Sequence, residues 1–217
     1  MPRADLQRWK RLWKRLGAEG RPEPAFYRLA YAYGRKDRFY HTLEHIGHCL
    51  DEIQPARALC RHPDEMELAL WFHDIVLDPR RRDGLNVKDS ARAGHTAARK
   101  MGLAPAAAER VRRMVMATTH RDVPRNMECR LVADADMALL GWSKRTFTRN
   151  YAQIRREHHF RTQDDFESGH VRFCGHLLRL RAVFLTGFFR RRYEAQARRN
   201  LRDELRRLGV GPSAQTG

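Results

Sequence analysis

The stretch Trp71-Phe72-His73-Asp74-Ile75-Val76 places a histidine and an aspartate side by side inside an otherwise apolar run. Burial of two ionisable groups is costly unless something compensates for it. A metal ion would compensate for both at once, because it takes a neutral imidazole and a carboxylate as ligands. The simpler interpretation is a core histidine that pairs with its neighbour. Adjacent residues of a helix do not face each other, which makes that pairing awkward and favours the metal.

Two further histidines lie upstream, at the start of another predicted helix. Thr42 is a suitable N-terminal cap for a helix that continues through Ile53. His45 then lies in the first turn and His41 just before the cap, so both are close enough in the chain to face one cleft. Basic residues precede them and make the stretch typical of a site for an anion, namely Arg35, Lys36 and Arg38.

Two aspartates interrupt a later apolar helical run, at Asp134 and Asp136. They are two residues apart and cannot share one face of a helix. We expect one of them to point at the metal and the other to cap or support the helix. The residues by themselves leave open which of the two is the ligand.

The rest of the chain predicts helices and no strands, because no stretch shows a clean two-residue alternation. A first amphipathic helix is expected to end near Gly17. Further helices are predicted over residues 25–33, from Pro63 to just before Asp78, from a cap at Asn86 through Lys100, from Pro105 to Thr118, around Phe147 to Glu157, from Val171 to Phe189, and from Tyr193 to Leu208. The sequence thus predicts a single all-α domain over residues 1–208 and a disordered tail over residues 209–217.

The composition is strongly basic. The 217 residues include 43 Lys and Arg against 26 Asp and Glu, a formal net charge of +17. This excess favours anionic partners, such as nucleotides, other phosphorylated metabolites or nucleic acid. The four cysteines form no C-x-x-C pair, which argues against a cysteine zinc site and suits a reducing cytoplasm. No signal peptide or membrane span is predicted, so we expect a cytoplasmic protein. The sequence does not indicate an oligomeric state.

The order His45, His73-Asp74, Asp136 resembles the H…HD…D pattern of the HD-domain metal-dependent phosphohydrolases. Residues 39–46, 71–76 and 134–141 are similar to a bacterial group described only as predicted HD superfamily phosphohydrolases, and the similarity continues to residues 194–201. The resemblance implies an HD-domain helical bundle with a metal ion held by His45, His73, Asp74 and Asp136. Asp136 is preferred over Asp134 because the context Ala135-Asp136-Met137 is similar to that of the ligand in other HD proteins.

The resemblance also implies roles for residues around the metal. Residues 40–45 are similar to the cyclic-nucleotide phosphodiesterase motif Y-H-N-x-x-H, which implies His41 as the proton donor. His120 lies where binuclear HD enzymes often supply a further histidine, either for a second metal or to orient the phosphate. Basic residues expected to neutralise substrate charge are Arg35, Lys36, Arg38 and the loop arginines Arg80, Arg81 and Arg82.

The sequence therefore predicts a metal-dependent phosphohydrolase, either a phosphomonoesterase or a phosphodiesterase, that acts on a nucleotide or another small phosphorylated substrate. Two imidazoles and two carboxylates favour a six-coordinate Mn, Fe, Co, Ni or Mg ion over structural zinc. One alternative is a nucleic-acid-binding or regulatory protein with a structural or vestigial metal site. The charge favours it, whereas the lack of a basic motif interleaved with aromatics weighs against it. A lesser alternative is a di-iron oxygenase, which would need more metal-binding histidines.

Overall fold

The computed structural model describes residues 4–81 and 84–210, and every regular element within those ranges is helical. This confirms the predicted all-α class. The α-helices are α1 (Leu6–Arg15), α2 (Pro22–Tyr33), α3 (Leu43–Ile53), α4 (Pro63–Phe72), α5 (Leu85–Lys100), α6 (Pro105–Met116), α7 (Met127–Asp136), α8 (Lys144–Glu157), α9 (Gln163–Arg179) and α10 (Gly187–Arg207). Short 3-10 helices cover Gln54–Leu59, Ala117–Thr119 and Met137–Gly141.

The chain divides into two compact units. The N-terminal unit, Met1–Asp136, contains α1 to α7, and the C-terminal unit, Met137–Gly217, contains α8 to α10. The single domain expected over residues 1–208 stays a prediction. Of the expected tail, residues 211–217 lie outside the described residues, while Val210 still donates its N–H to the carbonyl of Leu205 at 2.9 Å. None of the described helices combines the length and apolar character needed to cross a bilayer.

Helix α4 forms the centre of the N-terminal unit. Every residue from Glu65 to Phe72 is buried, and α4 packs against α1, α3, α5, α6 and α7. The Trp71 ring lies edge-on to Trp9 with centroids 5.3 Å apart. Since the His73-Asp74 pair follows directly, the most enclosed helix of the unit delivers the two ionisable side chains that the sequence singled out.

Two glutamates share this buried helix, and arginines neutralise both. The guanidinium of Arg110 makes two hydrogen bonds of 2.6 Å to the carboxylate of Glu65. Glu67, only 1% exposed in its side chain, is paired with Arg15 at 2.5 Å and Arg57 at 3.1 Å. Buried carboxylates are tolerated when they are paired in this way. The N-terminal part of α4 is therefore held in place by ion pairs and its C-terminal part by aromatic packing.

Local capping agrees with the sequence at two helices and differs at a third. Thr42 caps α3 as predicted, because its side chain accepts the N–H of Glu44. Helix α1 ends before Gly17, whose φ of 62° lies in the left-handed region. The predicted cap of α5 at Asn86 is wrong: Gly84, at φ 78°, precedes the helix instead. Asn86 lies within α5, and its side-chain N–H donates to the carbonyl of Asp78.

The helix predicted from Val171 to Phe189 is also wrong, because α9 ends at Arg179 and α10 begins at Gly187. Polar side chains of α10 satisfy the backbone of the turn between them. The carboxylate of Glu194 accepts the N–H groups of Val183 and Phe184, and Arg198 donates to carbonyls that include that of Leu180. The apolar residues of this stretch gave no sign of the break, because the side chains that hydrogen-bond to the turn lie further along the chain, in α10.

Candidate metal centre

Four side chains of the N-terminal unit bring their polar atoms together at one point. The Nε2 atoms of His45 and His73 lie 3.1 Å apart. Oδ2 of Asp74 is 2.9 Å from Nε2 of His73 and 3.5 Å from that of His45. Oδ1 of Asp136 is 3.4 Å and 3.3 Å from the same two nitrogens. Neighbouring ligand atoms of one octahedral ion are separated by about 3 Å, so these distances fit a shared cation.

The approach of the two imidazoles supports this assignment. Nδ1 of His73 lies 2.9 Å from the carbonyl oxygen of Leu70, which can only accept, so Nδ1 carries the hydrogen. The lone pair of the neutral ring is then on Nε2, as metal ligation requires. Two Nε2–H groups cannot point at each other across 3.1 Å. The facing nitrogens therefore share a proton, donate to the neighbouring carboxylates or bind a cation, and the convergence of all four groups on one point favours the cation.

The centre is buried on the histidine side and open on the carboxylate side. The side chains of His45 and His73 are 3% and 0% exposed, whereas those of Asp74 and Asp136 are 17% and 18% exposed. A bound ion would therefore be fixed from within the unit and accessible from outside. This is the arrangement of a site that binds a water or a substrate rather than a closed structural site.

The ends of three helices position these side chains. His73 is the C-terminal cap of α4, Asp136 is the last residue of α7, and His45 lies in the first turn of α3. The partial negative charge at the C-terminal end of a helix favours a nearby cation, and two such ends meet here. His73 and Asp74 follow α4 rather than belonging to it, contrary to the prediction. Because they form a turn, these adjacent residues do contact each other, and the argument that their pairing is awkward was wrong.

Burial and the paired charges shift the pKa values of all four groups. Burial alone would lower the pKa of His73, but the carboxylates of Asp74 and Asp136 raise it well above its usual value. Burial also opposes protonation of His45, yet Cys49, Tyr40 and the same carboxylates raise its pKa. The imidazoles in turn hold the pKa of each aspartate well below its usual value, against the effect of burial. Without a metal, these contacts thus favour the protonated form of the histidine pair.

Cys49 is a candidate ligand that the sequence analysis missed. Its thiol lies within the same cluster as His45, His73 and Asp136, one turn after His45 on α3. Sγ is 3.6 Å from Nε2 and 3.8 Å from Nδ1 of the His45 ring. A sulfur almost equidistant from both nitrogens does not lie along the lone pair of Nε2. Asp74 is therefore better placed than Cys49 as the fourth ligand. The i, i+4 spacing of His45 and Cys49 was the signal in the sequence.

Asp136, and not Asp134, faces the histidines. Asp134 is buried as well, at 2% exposure, but it is not part of the cluster. The second oxygen of Asp136, Oδ2, lies 3.0 Å from Nε2 of His120. His120 has a φ of 53°, a left-handed conformation that costs a non-glycine residue energy. The backbone strain is found where a side chain is directed at the candidate centre.

His41 lies at the margin of the centre. Its Nε2 is 4.0 Å from Oδ2 of Asp74, and its side chain is 22% exposed. The ring packs edge-on to Tyr40 and to His45, with centroids 4.9 Å and 5.7 Å away. The position beside the carboxylate-lined, open side is compatible with the expected contact between His41 and a substrate.

The predicted anion-binding arginines occupy different positions. Arg38 is 6% exposed, and its guanidinium donates to the carbonyls of His41, Asp74 and Ile75 at 3.2, 2.7 and 2.8 Å. Arg38 therefore ties the loop before α3 to the turn after α4, and its expected contact with a substrate phosphate stays a prediction. Arg35 is exposed and pairs with Asp37.

The arginines of the loop after the His73-Asp74 turn are only partly described. Arg81 pairs with Asp89 at 2.8 Å, and a third of its side chain is exposed. Arg82 lies outside the described residues. Neither Arg35 nor Arg81 contacts the four clustered side chains in the described part of the chain, so their role in binding substrate stays a prediction.

In comparisons with known proteins, no protein-family model, no curated protein and no solved structure matches this chain. The geometry of the site therefore carries the functional argument.

Proposed function

We propose that the chain is a metal-dependent phosphohydrolase of the HD superfamily that acts on a nucleotide or another small phosphorylated substrate. The observation that carries the proposal is the convergence of His45, His73, Asp74 and Asp136, in the expected order along the chain, on a point where their ligand atoms are 2.9–3.5 Å apart. Two imidazoles and two carboxylates suit Mn, Fe, Co, Ni or Mg, with coordination positions left over for water and substrate.

A divalent ion held there would lower the pKa of a bound water and polarise a phosphoryl oxygen. The chain's own residues supply the remaining functions. The Leu70 carbonyl holds the His73 ring in the tautomer with Nε2 free. Arg38 fixes the backbone at both His41 and Asp74, which keeps the proposed proton donor beside the proposed ligand.

His41 is proposed as the group that protonates the leaving oxygen. It is partly exposed at the open side of the centre, where a substrate would arrive, whereas His45 and His73 are enclosed. A general acid must reach the leaving group and have a pKa near the working pH. His120 holds the outer oxygen of Asp136 and is proposed to orient that carboxylate or to bind a second ion.

The test combines metal analysis with a screen of phosphate esters. Protein purified without chelator is expected to contain one or two divalent ions per chain and to hydrolyse p-nitrophenyl phosphate, bis-p-nitrophenyl phosphate or a nucleotide. Asp136→Asn is expected to lose both metal and activity. Asp134→Asn, at the buried aspartate two residues away, is the matched control and should keep both.

His41→Asn separates metal binding from catalysis. It is expected to keep its metal and to lose activity by about 10²- to 10⁴-fold, as for a general acid. Folded wild-type protein that takes up no divalent ion would refute the proposal. Metal-loaded protein that hydrolyses none of these esters would instead support a structural or vestigial metal site.

A further inference from the structure

Most of the net positive charge lies in the C-terminal unit. Met137–Gly217 holds 17 Arg and Lys against seven Asp and Glu, a net +10 of the total +17. Sixteen of these 17 cations are arginines. The candidate metal centre belongs to the N-terminal unit, so its residues account for none of this excess.

Helix α10 arranges part of this charge in a straight row. Along its outer face the exposed residues follow one another at intervals of four, four, three and four, and they are Arg191, Ala195, Arg199, Arg202 and Arg206. This spacing places them on one side of an α-helix. The row is about 22 Å long, which corresponds to roughly seven nucleotide steps of a duplex. The opposite face is buried.

Three of these arginines lack an acidic partner among the described residues. In the described part of the chain no carboxylate lies within ion-pair distance of Arg191, Arg199 or Arg202, and Arg199 bonds only to the amide oxygen of Gln196. By contrast, Arg206 pairs with Asp203, which also accepts from Lys144 at 3.1 Å. Like charges at neighbouring positions on the surface of a helix repel one another, and a bound anion would relieve that repulsion.

Helix α8, which contacts α10, carries a second basic row. Its exposed face carries Arg145, Arg149, Ala152 and Arg156 at intervals of four, three and four. The Lys144–Asp203 ion pair and the stacking of Arg207 over the Tyr151 ring at 5.4 Å join α8 to the last turns of α10. The two rows therefore lie on adjoining helices of one unit.

We propose that the arginine row of α10, extended by that of α8, binds the phosphate backbone of a nucleic acid. Guanidinium groups form forked hydrogen bonds with phosphate, and a rigid helix holds them at fixed spacing. An anionic membrane is the less suitable anion. Helices that lie on membranes expose apolar side chains beside the basic ones, whereas Phe189, Leu201 and Leu205 of α10 are buried and only Ala195 interrupts the row.

The test compares two triple variants with the same change of net charge. The row variant is Arg191→Glu/Arg199→Glu/Arg202→Glu. The control variant changes three exposed cations of the N-terminal unit that also lack a described carboxylate partner, Lys14→Glu/Lys100→Glu/Arg113→Glu. Circular dichroism checks folding, and Arg191→Gln/Arg199→Gln/Arg202→Gln replaces the row variant if it unfolds. Fluorescence anisotropy measures binding of labelled RNA and DNA duplexes of about 20 base pairs between about 50 and 200 mM salt.

Wild-type protein is expected to bind both duplexes with an affinity that falls steeply with salt. The row variant should bind at least about 30-fold more weakly, and the slope of log affinity against log salt should decrease by about three. The control variant should lose less than about threefold. Equal losses in both variants would show that only net charge matters and would overturn the proposal. So would the absence of binding by wild type at about 50 mM salt, or stronger binding to phosphatidylglycerol vesicles than to either duplex. Phosphatase activity is not read in this experiment, so its outcome is independent of the proposed hydrolysis.

Discussion

Replacement of one carboxylate at the candidate metal centre should abolish the rise in melting temperature that divalent metal causes. The perturbation is Asp136→Asn, which keeps the size of the side chain and removes the charge that faces His45, His73 and His120. In wild-type protein, metal at a concentration of about 100 Kd adds about 2.7 kcal/mol of stability, because only the folded state binds it. For a chain of this length this corresponds to a rise in melting temperature of roughly 5–10 °C.

The variant should show two separable effects. Without metal it loses the carboxylate partner of buried imidazoles. Breaking a fully buried pair costs about 3–5 kcal/mol, and because the Asp136 side chain is 18% exposed we expect the lower end of that range. With metal it should show almost no upward shift, because one of four ligands is missing. Asp134→Asn, in the same helix, can be destabilised too, but its metal-induced shift should remain.

The assay is differential scanning calorimetry, with EDTA and with excess Mn²⁺ or Mg²⁺, on wild type and both variants. Because the chain contains two compact units, we expect metal to shift only the unfolding transition of the N-terminal unit in wild-type protein. That shift should be absent in Asp136→Asn. Equal metal-induced shifts in wild type and Asp136→Asn would refute the reasoning, as would the loss of the shift in Asp134→Asn alone.

The pH dependence of metal binding follows from the same contacts. Against the effect of burial, the neighbouring carboxylates raise the pKa values of His45 and His73, which favours the protonated form of the metal-free pair. A metal takes neutral imidazoles, so binding must release at least one proton. Affinity should therefore rise with pH by about tenfold per unit for each proton released, until the pH passes the raised pKa. Calorimetric titrations in buffers of different ionisation enthalpy count the protons released. A metal affinity that does not change between about pH 6 and 8 would contradict the assignment.

Three further predictions concern residues outside the ligand set. Arg38→Lys should weaken metal binding by about 10- to 100-fold, because a single ammonium nitrogen cannot take the positions of the two guanidinium nitrogens that reach these carbonyls, whereas Arg35→Lys should not; equilibrium dialysis measures both. Glu67→Gln should lower the free energy of unfolding in urea by about 1–3 kcal/mol, because the buried side chain loses its charged hydrogen bonds while Arg15 and Arg57 keep Asp64 as a partner. Burial lowers the pKa of His170 to about 4, so the folded C-terminal unit binds fewer protons than the unfolded chain between that pH and about 6.5. Stability should fall by up to about 3 kcal/mol as the pH drops through this window, and His170→Gln, compared with His176→Gln at an exposed position, should remove that fall.

The sequence predicted the parts of the fold that depend on local chemistry. The Thr42 cap and the end of α1 at Gly17 follow from single residues, and both are confirmed. The break between α9 and α10 could not be predicted in this way. It depends on Glu194 and Arg198, which bond to backbone groups that lie 10 to 20 residues earlier in the chain. A window of apolar residues contains no information about such partners.

The same distinction applies to the candidate site. His73, Asp74 and the pair Asp134 and Asp136 could be selected because they interrupt apolar helical runs. His45 was selected from its place in the first turn of a predicted helix, and Asp136 was preferred over Asp134 only through the family resemblance. The four expected ligands meet at one point. The burial of Arg38 was not predicted, because a basic residue in a loop is usually solvated. Its burial becomes favourable only when the fold supplies carbonyl acceptors, and those lie more than 35 residues away at the end of α4.

The position of those carbonyls links the buried helix to the chemistry proposed at its end. An α-helix leaves its last carbonyl groups unsatisfied, and α4 ends inside the unit, where water cannot satisfy them all. The His73 ring takes the carbonyl of Leu70, Tyr33 takes that of Trp71, and Arg38 takes those that follow, at Asp74 and Ile75. Each donor therefore both completes the helix terminus and restricts the turn that carries the ligands. Because the same hydrogen bonds serve stability and geometry, a change that loosens the turn should weaken metal binding and folding together, whereas a change of a ligand alone should weaken metal binding far more than folding.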